Sequence, residues 1–221
     1  MSALLVFDGD GVLYDTEPVV CRVQADVVTA LGYPITEADA RSHIGKTGAE
    51  FYAAMAERFG MTIPADINQR FVERYSEILA QGLEPMPGVR ELIARLTVPY
   101  CLVTNATLLR LGVTLAATGL AETFEGRIIC LDDVTRGKPA PDMFLLAAKK
   151  MRTAPADSLA IDDNVHGIAA ALSAGMHAIG YVGASHNTPD QAERLIAAGA
   201  EAVCNDIGAF AALLETRGWL R

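Results

Sequence analysis

The sequence predicts an α/β fold, a doubly wound parallel sheet with an all-helical segment inserted after its first strand. Three observations predict it. The chain opens on the apolar run Leu4-Leu5-Val6-Phe7 and stops at two carboxylates separated by one glycine, Asp8-Gly9-Asp10. Only helical signals follow, up to about Tyr100. From there strand-like and helix-like patterns alternate to the end of the chain, which implies right-handed crossovers and parallel strands.

The first run is short, apolar and bounded by glycine, the pattern of a strand buried on both faces. Aspartate is disfavoured in strands and costly to bury alone, so Asp8 and Asp10 at its end call for a cation or a polar network. An Asp-Gly hairpin would need a second alternating apolar run after Gly11; Val-Leu-Tyr-Asp-Thr-Glu-Pro follows instead and reads as a helix start. Thr16 is placed as its cap, with Pro18 in the first turn and Gly32 after its end. Val20, Val27, Val28 and Leu31 give this helix its apolar stripe. Thr36 and Thr47 open two more helices, the second with capping-box spacing to Glu50 and ending at Gly60. A fourth runs from after Pro64 to about Ala80, making a compact bundle. Beyond the turn cluster Pro85-Met86-Pro87-Gly88, strands are expected at 100–104, 128–131, 159–161, 178–182 and 202–204. Helices are expected at 89–96, 108–118, 142–151, 165–174, 189–198 and 207–217.

Bulk composition narrows the function. The 221 residues suffice for a sizeable core, and 51% hydrophobic against 20% charged residues describes a globular chain. A net charge of −9 argues against nucleic acid or an anionic membrane as main partner. No apolar run is long enough to span a bilayer, and the N-terminus lacks the basic region of a signal peptide. Cys21, Cys101, Cys130 and Cys204 are far apart and three lie in or beside apolar runs, as expected of reduced, buried thiols in a cytoplasmic protein.

In open α/β sheets, ligands bind beyond the carboxyl ends of the strands. Those ends carry Asp8-Gly9-Asp10, Thr104-Asn105, Leu131-Asp132-Asp133 with Lys138 shortly after, and Asp162-Asp163-Asn164, and all four are expected to converge on one edge. Clustered carboxylates raise one another's pKa unless a cation intervenes, and Mg²⁺ suits an all-oxygen set with positions left for water and phosphate. Thr104 and Asn105 offer hydrogen-bond donors to an oxyanion, and Lys138 offers a point charge. This is chemistry for phosphoryl transfer, in which positioning and charge neutralisation carry most of the catalysis.

These four motifs, in this order and with Gly167-Ile168 and Ala174-Gly175-Met176 behind the last, resemble the haloacid dehalogenase superfamily over essentially the whole chain. The resemblance implies a Rossmann-like core, residues 1–15 and 84–221, and a helical cap, residues 16–83, that closes over the substrate. It implies Asp8 as nucleophile forming an aspartyl-phosphate, and Asp10 as general acid and then base. Mg²⁺ would be held by Asp8, the Asp10 backbone carbonyl and Asp163, with Asp162 acting through water. Thr104, the Asn105 backbone and Lys138 would hold the phosphoryl group.

Asp10 separates the chain from the superfamily's dehalogenases and phosphonate hydrolases, which lack this second aspartate. Lys46 is therefore expected to contact substrate and not to form a Schiff base. The chain is also similar to the β-phosphoglucomutase group, but the segment 16–21 has no histidine, and Gly48 stands near the place of that group's cap arginine. A phosphatase of a small phosphorylated sugar or sugar acid is therefore expected, of the 6-phosphogluconate phosphatase type on His186-Asn187 and Arg217-Gly218-Trp219. A phosphomutase is the alternative; a non-enzymatic phospho-receiver is the more distant one, since receivers lack the large insert. The acidic surface and cap suit a monomer. His43, His177 and Tyr14 are expected to be structural, and His166 stands near the site on a first helical turn.

Overall fold

The computed structural model describes residues 3–44 and 46–221. Six strands form one sheet: β1 (Leu4–Phe7), β2 (Tyr100–Val103), β3 (Ile128–Ile129), β4 (Ser158–Asp162), β5 (His177–Tyr181) and β6 (Ala202–Cys204). Their order is β3-β2-β1-β4-β5-β6, and every pairing is parallel. The chain steps outward from β1 through β2 to β3, then crosses back to lay β4 on the other side of β1. The crevice at that reversal lies between the ends of β1 and β4, where a doubly wound sheet takes its ligands.

The period-2 alternation of β1 sends its side chains into two separate cores. Leu5 and Phe7 pack with α5 (Val89–Arg95), α6 (Leu108–Thr118) and α10 (Ile207–Thr216) on one face. Leu4 and Val6 pack with α7 (Asp142–Met151), α8 (Val165–Ser173) and α9 (Gln191–Ala197) on the other. Phe7 is fully buried, and its ring meets Tyr100, Phe124 and Phe210 edge-on, each at 6.4 Å between centroids. Phe7→Ala is expected to cost about 3–5 kcal/mol in equilibrium denaturation, the range for emptying such a site.

Between β1 and β2 lie α1 (Glu17–Ala30), α2 (Glu37–Arg41), α3 (Gly48–Phe59) and α4 (Ile67–Leu79). They bury a third cluster of their own, with Val28, Phe51, Met55, Phe71 and Tyr75 at its centre. Val113 and Ala117 of α6 close its base, and the Tyr75 hydroxyl lies 2.8 Å from Thr114 Oγ1. The two crossings between sheet and insert run side by side: Tyr14 pairs antiparallel with Pro85, and Met86 N–H donates to the Leu13 carbonyl at 2.8 Å. Tyr14 itself is a fully buried core residue.

Thr36 with Asp39 and Thr47 with Glu50 form the capping boxes that start α2 and α3, and Gly60 ends α3 in the left-handed region. Two expectations are corrected. Thr16 precedes α1 but its side chain does not cap it; the hydroxyl donates to Asp10 Oδ1 instead. The third strand is only two residues long, because Leu131–Asp133 turns into a 3-10 helix. The four cysteines are free and buried, as expected. No helix among the described residues is long and apolar enough to cross a membrane.

Candidate active site

Three strand ends and one loop meet at the crevice. Asp8 follows β1, Thr104 follows β2, and Asp162 and Asp163 close β4; all four are buried. Lys138 reaches in from the loop before α7. Its Nζ lies 2.6 Å from Asp8 Oδ1 and 2.7 Å from Asp162 Oδ2, and it is 6% exposed. Burial works against the ammonium charge, but Asp162 and Asp8 outweigh it and hold the Lys138 pKa above the ordinary lysine value. Asp8 pays the other side of that burial: desolvation and the Asp162 charge raise its pKa well above the usual range, against the pull of Lys138.

Asn105 positions the lysine. Its Oδ1 accepts from the Lys138 backbone N–H at 2.9 Å, and its Nδ2 donates to the Lys138 carbonyl at 3.2 Å. The Asn105 side chain thus ties the Lys138 loop to the end of β2. Thr104 Oγ1 accepts from Ala106 N–H at 3.1 Å, which fixes its rotamer with the hydroxyl proton still available. Asp162 Oδ1 accepts from Asn164 N–H at 3.0 Å. Asp163 Oδ2 lies 2.9 Å from His186 Nε2, and Asp163 is held from behind by Gln191 Nε2, 2.5 Å from its carbonyl.

His186 stands between two acids, with Asp15 Oδ1 3.8 Å from its Nδ1. Burial opposes its charge, but the facing Asp15 and Asp163 carboxylates raise its pKa to about 10. Burial pushes Asp163 the opposite way from its His186 bond and wins, giving a pKa of about 6.

Two glycines let the carboxylates sit this close. A Cβ at Gly11, where φ is +84°, would collide with the Asp163 carboxylate, and one at Gly167 would collide with that of Asp162. Gly167→Ala is expected to weaken divalent-cation affinity by roughly 10–100-fold in a calorimetric titration, as for lost support of a metal ligand, while circular dichroism stays unchanged.

Asp8, Asp162 and Asp163 each offer a carboxylate oxygen, all within 4.8 Å of one another. Lys138 at Asp8 and Asp162, and His186 at Asp163, neutralise only part of this charge. An all-oxygen donor set with surplus negative charge, raised Asp8 and Asp163 pKa values and solvent access through a cavity fits a hard divalent cation. The carboxylates brought together include Asp162, expected to act through water, whereas the Asp10 side chain points into a different set of contacts.

Asp10 Oδ2 accepts from Arg110 Nη2 at 2.6 Å, and Oδ1 accepts from Arg110 Nη1 at 3.3 Å and from the Thr16 hydroxyl. Both side chains are mostly buried, 13% and 16% exposed. Burial alone would weaken the Arg110 charge, but Asp10, Tyr75 and Glu17 hold its pKa above the ordinary arginine value. Glu17 lies close by, and burial together with the Asp10 charge raises its pKa to about 7. Sequence reasoning missed Arg110 and Glu17. The visible signal for Arg110 was a lone charge in the apolar run Leu-Leu-Arg-Leu-Gly-Val, which needs a buried partner.

These groups line one cavity of about 350 Å³ between the sheet and the insert. The insert contributes Gln24, Lys46, Tyr52, Asn68 and Phe71 to its far wall, and α8 contributes His166. Lys46 is exposed at the rim; Gly45 before it lies outside the described residues. His43 also reaches the cavity, packed edge-on against Phe51, while His177 pairs with Glu201 away from it.

From the segment after the third strand, Leu131 and Lys138 reach the cavity, and the acidic pair between them does not. Asp133 accepts from Cys130 N–H, and Asp132 accepts from Leu108 N–H at the start of α6, so both stabilise the loop and neither lines the cavity. Arg217-Gly218-Trp219 is likewise remote: Arg217 bonds Glu201, and Trp219 packs against the sheet's core.

A family model described as haloacid dehalogenase-like hydrolase matches residues 3–175. The bifunctional riboflavin kinase/FMN phosphatase of Arabidopsis thaliana is 30% identical over 184 residues, 81% of this chain and 48% of that protein. The chain thus spans about half the length of that relative. A phosphorylated carbohydrates phosphatase of Thermotoga maritima is 28% identical over 203 residues, 90% of this chain and 92% of its own. Among solved structures, a haloacid dehalogenase-like protein of unknown function from Agrobacterium tumefaciens superposes with a TM-score of 0.80 at 31% identity, covering 99% of this chain and 100% of that one. With the parallel sheet, the carboxylate crevice and a family model spanning most of its length, this chain belongs to the haloacid dehalogenase-like hydrolases.

Proposed function

We propose that this protein is a Mg²⁺-dependent phosphatase that hydrolyses a small phosphorylated sugar or sugar acid through an aspartyl-phosphate. The observation that carries the reading is the buried contact of Lys138 with both Asp8 and Asp162, beside Asp163, at the mouth of a cavity large enough for a small metabolite. The similarity to the Thermotoga phosphatase over nearly the full length of both chains supports it.

Asp8 is the nucleophile. One of its carboxylate oxygens forms a bond to phosphorus as the ester P–O bond breaks, and Asp10 gives its proton to the leaving oxygen. Asp10 then takes a proton from water, whose oxygen attacks the phosphorus, releasing phosphate and regenerating Asp8. Lys138 and the Thr104 hydroxyl, with the Asn105 backbone, hold the non-bridging oxygens in line for both displacements. Mg²⁺ held by Asp8, Asp163 and the Asp10 backbone carbonyl, with Asp162 beside them, would neutralise charge on Asp8 and the phosphoryl group so that two anions approach.

Residues 16–83 act as a cap over this chemistry, and the paired crossings at Tyr14 and Pro85 are its hinge. Closure excludes bulk water and brings Gln24, Lys46 and Asn68 to the substrate's non-phosphate end. Four free buried cysteines fit a cytoplasmic enzyme.

The test is phosphate release from a panel of sugar phosphates, sugar-acid phosphates, nucleotides and phosphonates. Turnover of monoesters that disappears with chelator and returns with Mg²⁺ is the expected result. Release that remains in chelator would overturn the metal requirement. Interconversion of sugar phosphates that depends on an added bisphosphate, with little net release, would favour a phosphomutase.

A further inference from the structure

We propose that Arg110 determines specificity by taking a carboxylate of the substrate, set two or three bonds from the phosphate ester oxygen. The inference rests on the phosphatase reading above and deepens it to a substrate class, the phosphate monoesters of short hydroxy acids.

Arg110 is a mostly buried cation on the cavity wall, separate from the Lys138 cluster, and it is already engaged by a carboxylate. Both its terminal nitrogens face the two oxygens of Asp10, at 2.6 Å and 3.3 Å. That fork shows the seat is shaped for a planar two-oxygen anion. In the proposed reaction Asp10 must turn to the leaving oxygen, which loosens its hold on Arg110. A buried guanidinium left without an acceptor is costly. Glu17 on the same wall makes no ion pair with Arg110 among the described residues, and burial works against its charge.

A substrate carboxylate fills the vacated place and frees Asp10 in the same exchange. Its distance from the reaction is bounded. A general acid works at hydrogen-bond reach of its target, and a side-chain rotation carries the Asp10 carboxylate only a few ångströms, so the Arg110 nitrogens lie within roughly 9 Å of the leaving oxygen and a carboxylate bound to them nearer still. Only a carboxylate a few bonds from that oxygen fits. The rest of the wall suits a hydroxylated chain, because the buried Tyr52 hydroxyl has no partner among the described residues, and Gln24 and Asn68 also face the cavity.

The experiment compares kcat/KM for matched esters that differ in the carboxylate: 3-phosphoglycerate with glycerol 3-phosphate, and 2-phosphoglycolate with 2-hydroxyethyl phosphate. Wild type is expected to prefer the acid of each pair by at least about tenfold, the scale of one charge-assisted bidentate contact. In Arg110→Gln that ratio should fall to about one, and in Arg110→Lys it should be partly retained. Ratios within one enzyme cancel any general damage from unclamping Asp10. Arg110→Lys, which keeps the buried charge, serves if the glutamine variant does not fold. A wild-type ratio of one, or a ratio unchanged by both substitutions, overturns the role of Arg110 and leaves the phosphatase reading standing. No turnover of these esters or of the wider panel overturns both.

Discussion

Asp8→Asn protein is expected to release phosphate at least about a thousandfold more slowly than wild type, the scale for loss of a covalent nucleophile. Asparagine has the shape of aspartate but no oxygen able to form the phosphoryl bond, so the loss falls on kcat. The fold should not suffer. Burial and the Asp162 charge raise the folded-state pKa of Asp8 well above the usual value, against the pull of Lys138. Its charge therefore costs stability at neutral pH in the absence of metal, and the neutral amide removes that cost. Lys138 keeps Asp162 as its partner at 2.7 Å. A melting temperature at or above that of the metal-free wild type, together with the kinetic collapse, is the expected pair of results. Turnover within tenfold of wild type would mean that the nucleophile lies elsewhere.

Lys138→Met is expected to damage both stability and activity. Methionine matches the aliphatic stem of lysine but carries no charge, so Asp8 and Asp162 would face each other without their buried cation. Removing one partner of a buried ion pair costs about 3–5 kcal/mol. In a chain of this size each kcal/mol shifts the melting temperature by about 2–4 °C. The expected result in chelator is therefore a fall of roughly 10 °C, measured by calorimetry or circular dichroism. Millimolar Mg²⁺ should recover more stability in the variant than in wild type, because it meets more uncompensated negative charge. Activity should remain low with Mg²⁺ present, since the phosphoryl oxygens have lost their lysine. An unchanged melting temperature in chelator would show that the Lys138 contacts contribute little to the folded state.

The sequence by itself determined the sheet, the helical insert and the residues that gather at the crevice. A buried parallel strand needs a continuous apolar run, and Leu4–Phe7 has one. Helices need caps and a 3.6-residue stripe, and α6 and α7 have the bounds their patterns give. Asp8, Asp162 and Asp163 were legible as carboxylates at the ends of buried apolar strands, and Lys138 from the Gly-Lys-Pro motif in the loop before α7. Contacts over long separations were not legible. Arg110 meets Asp10 across 100 residues, and His186 meets Asp163 from a loop after the next strand. No local pattern encodes such a pair, because the partner is chosen by how helix and sheet pack. The same reason explains Thr16 and Asp132. Each could satisfy more than one neighbour, and only packing decided that Thr16 serves Asp10 and that Asp132 holds the start of α6.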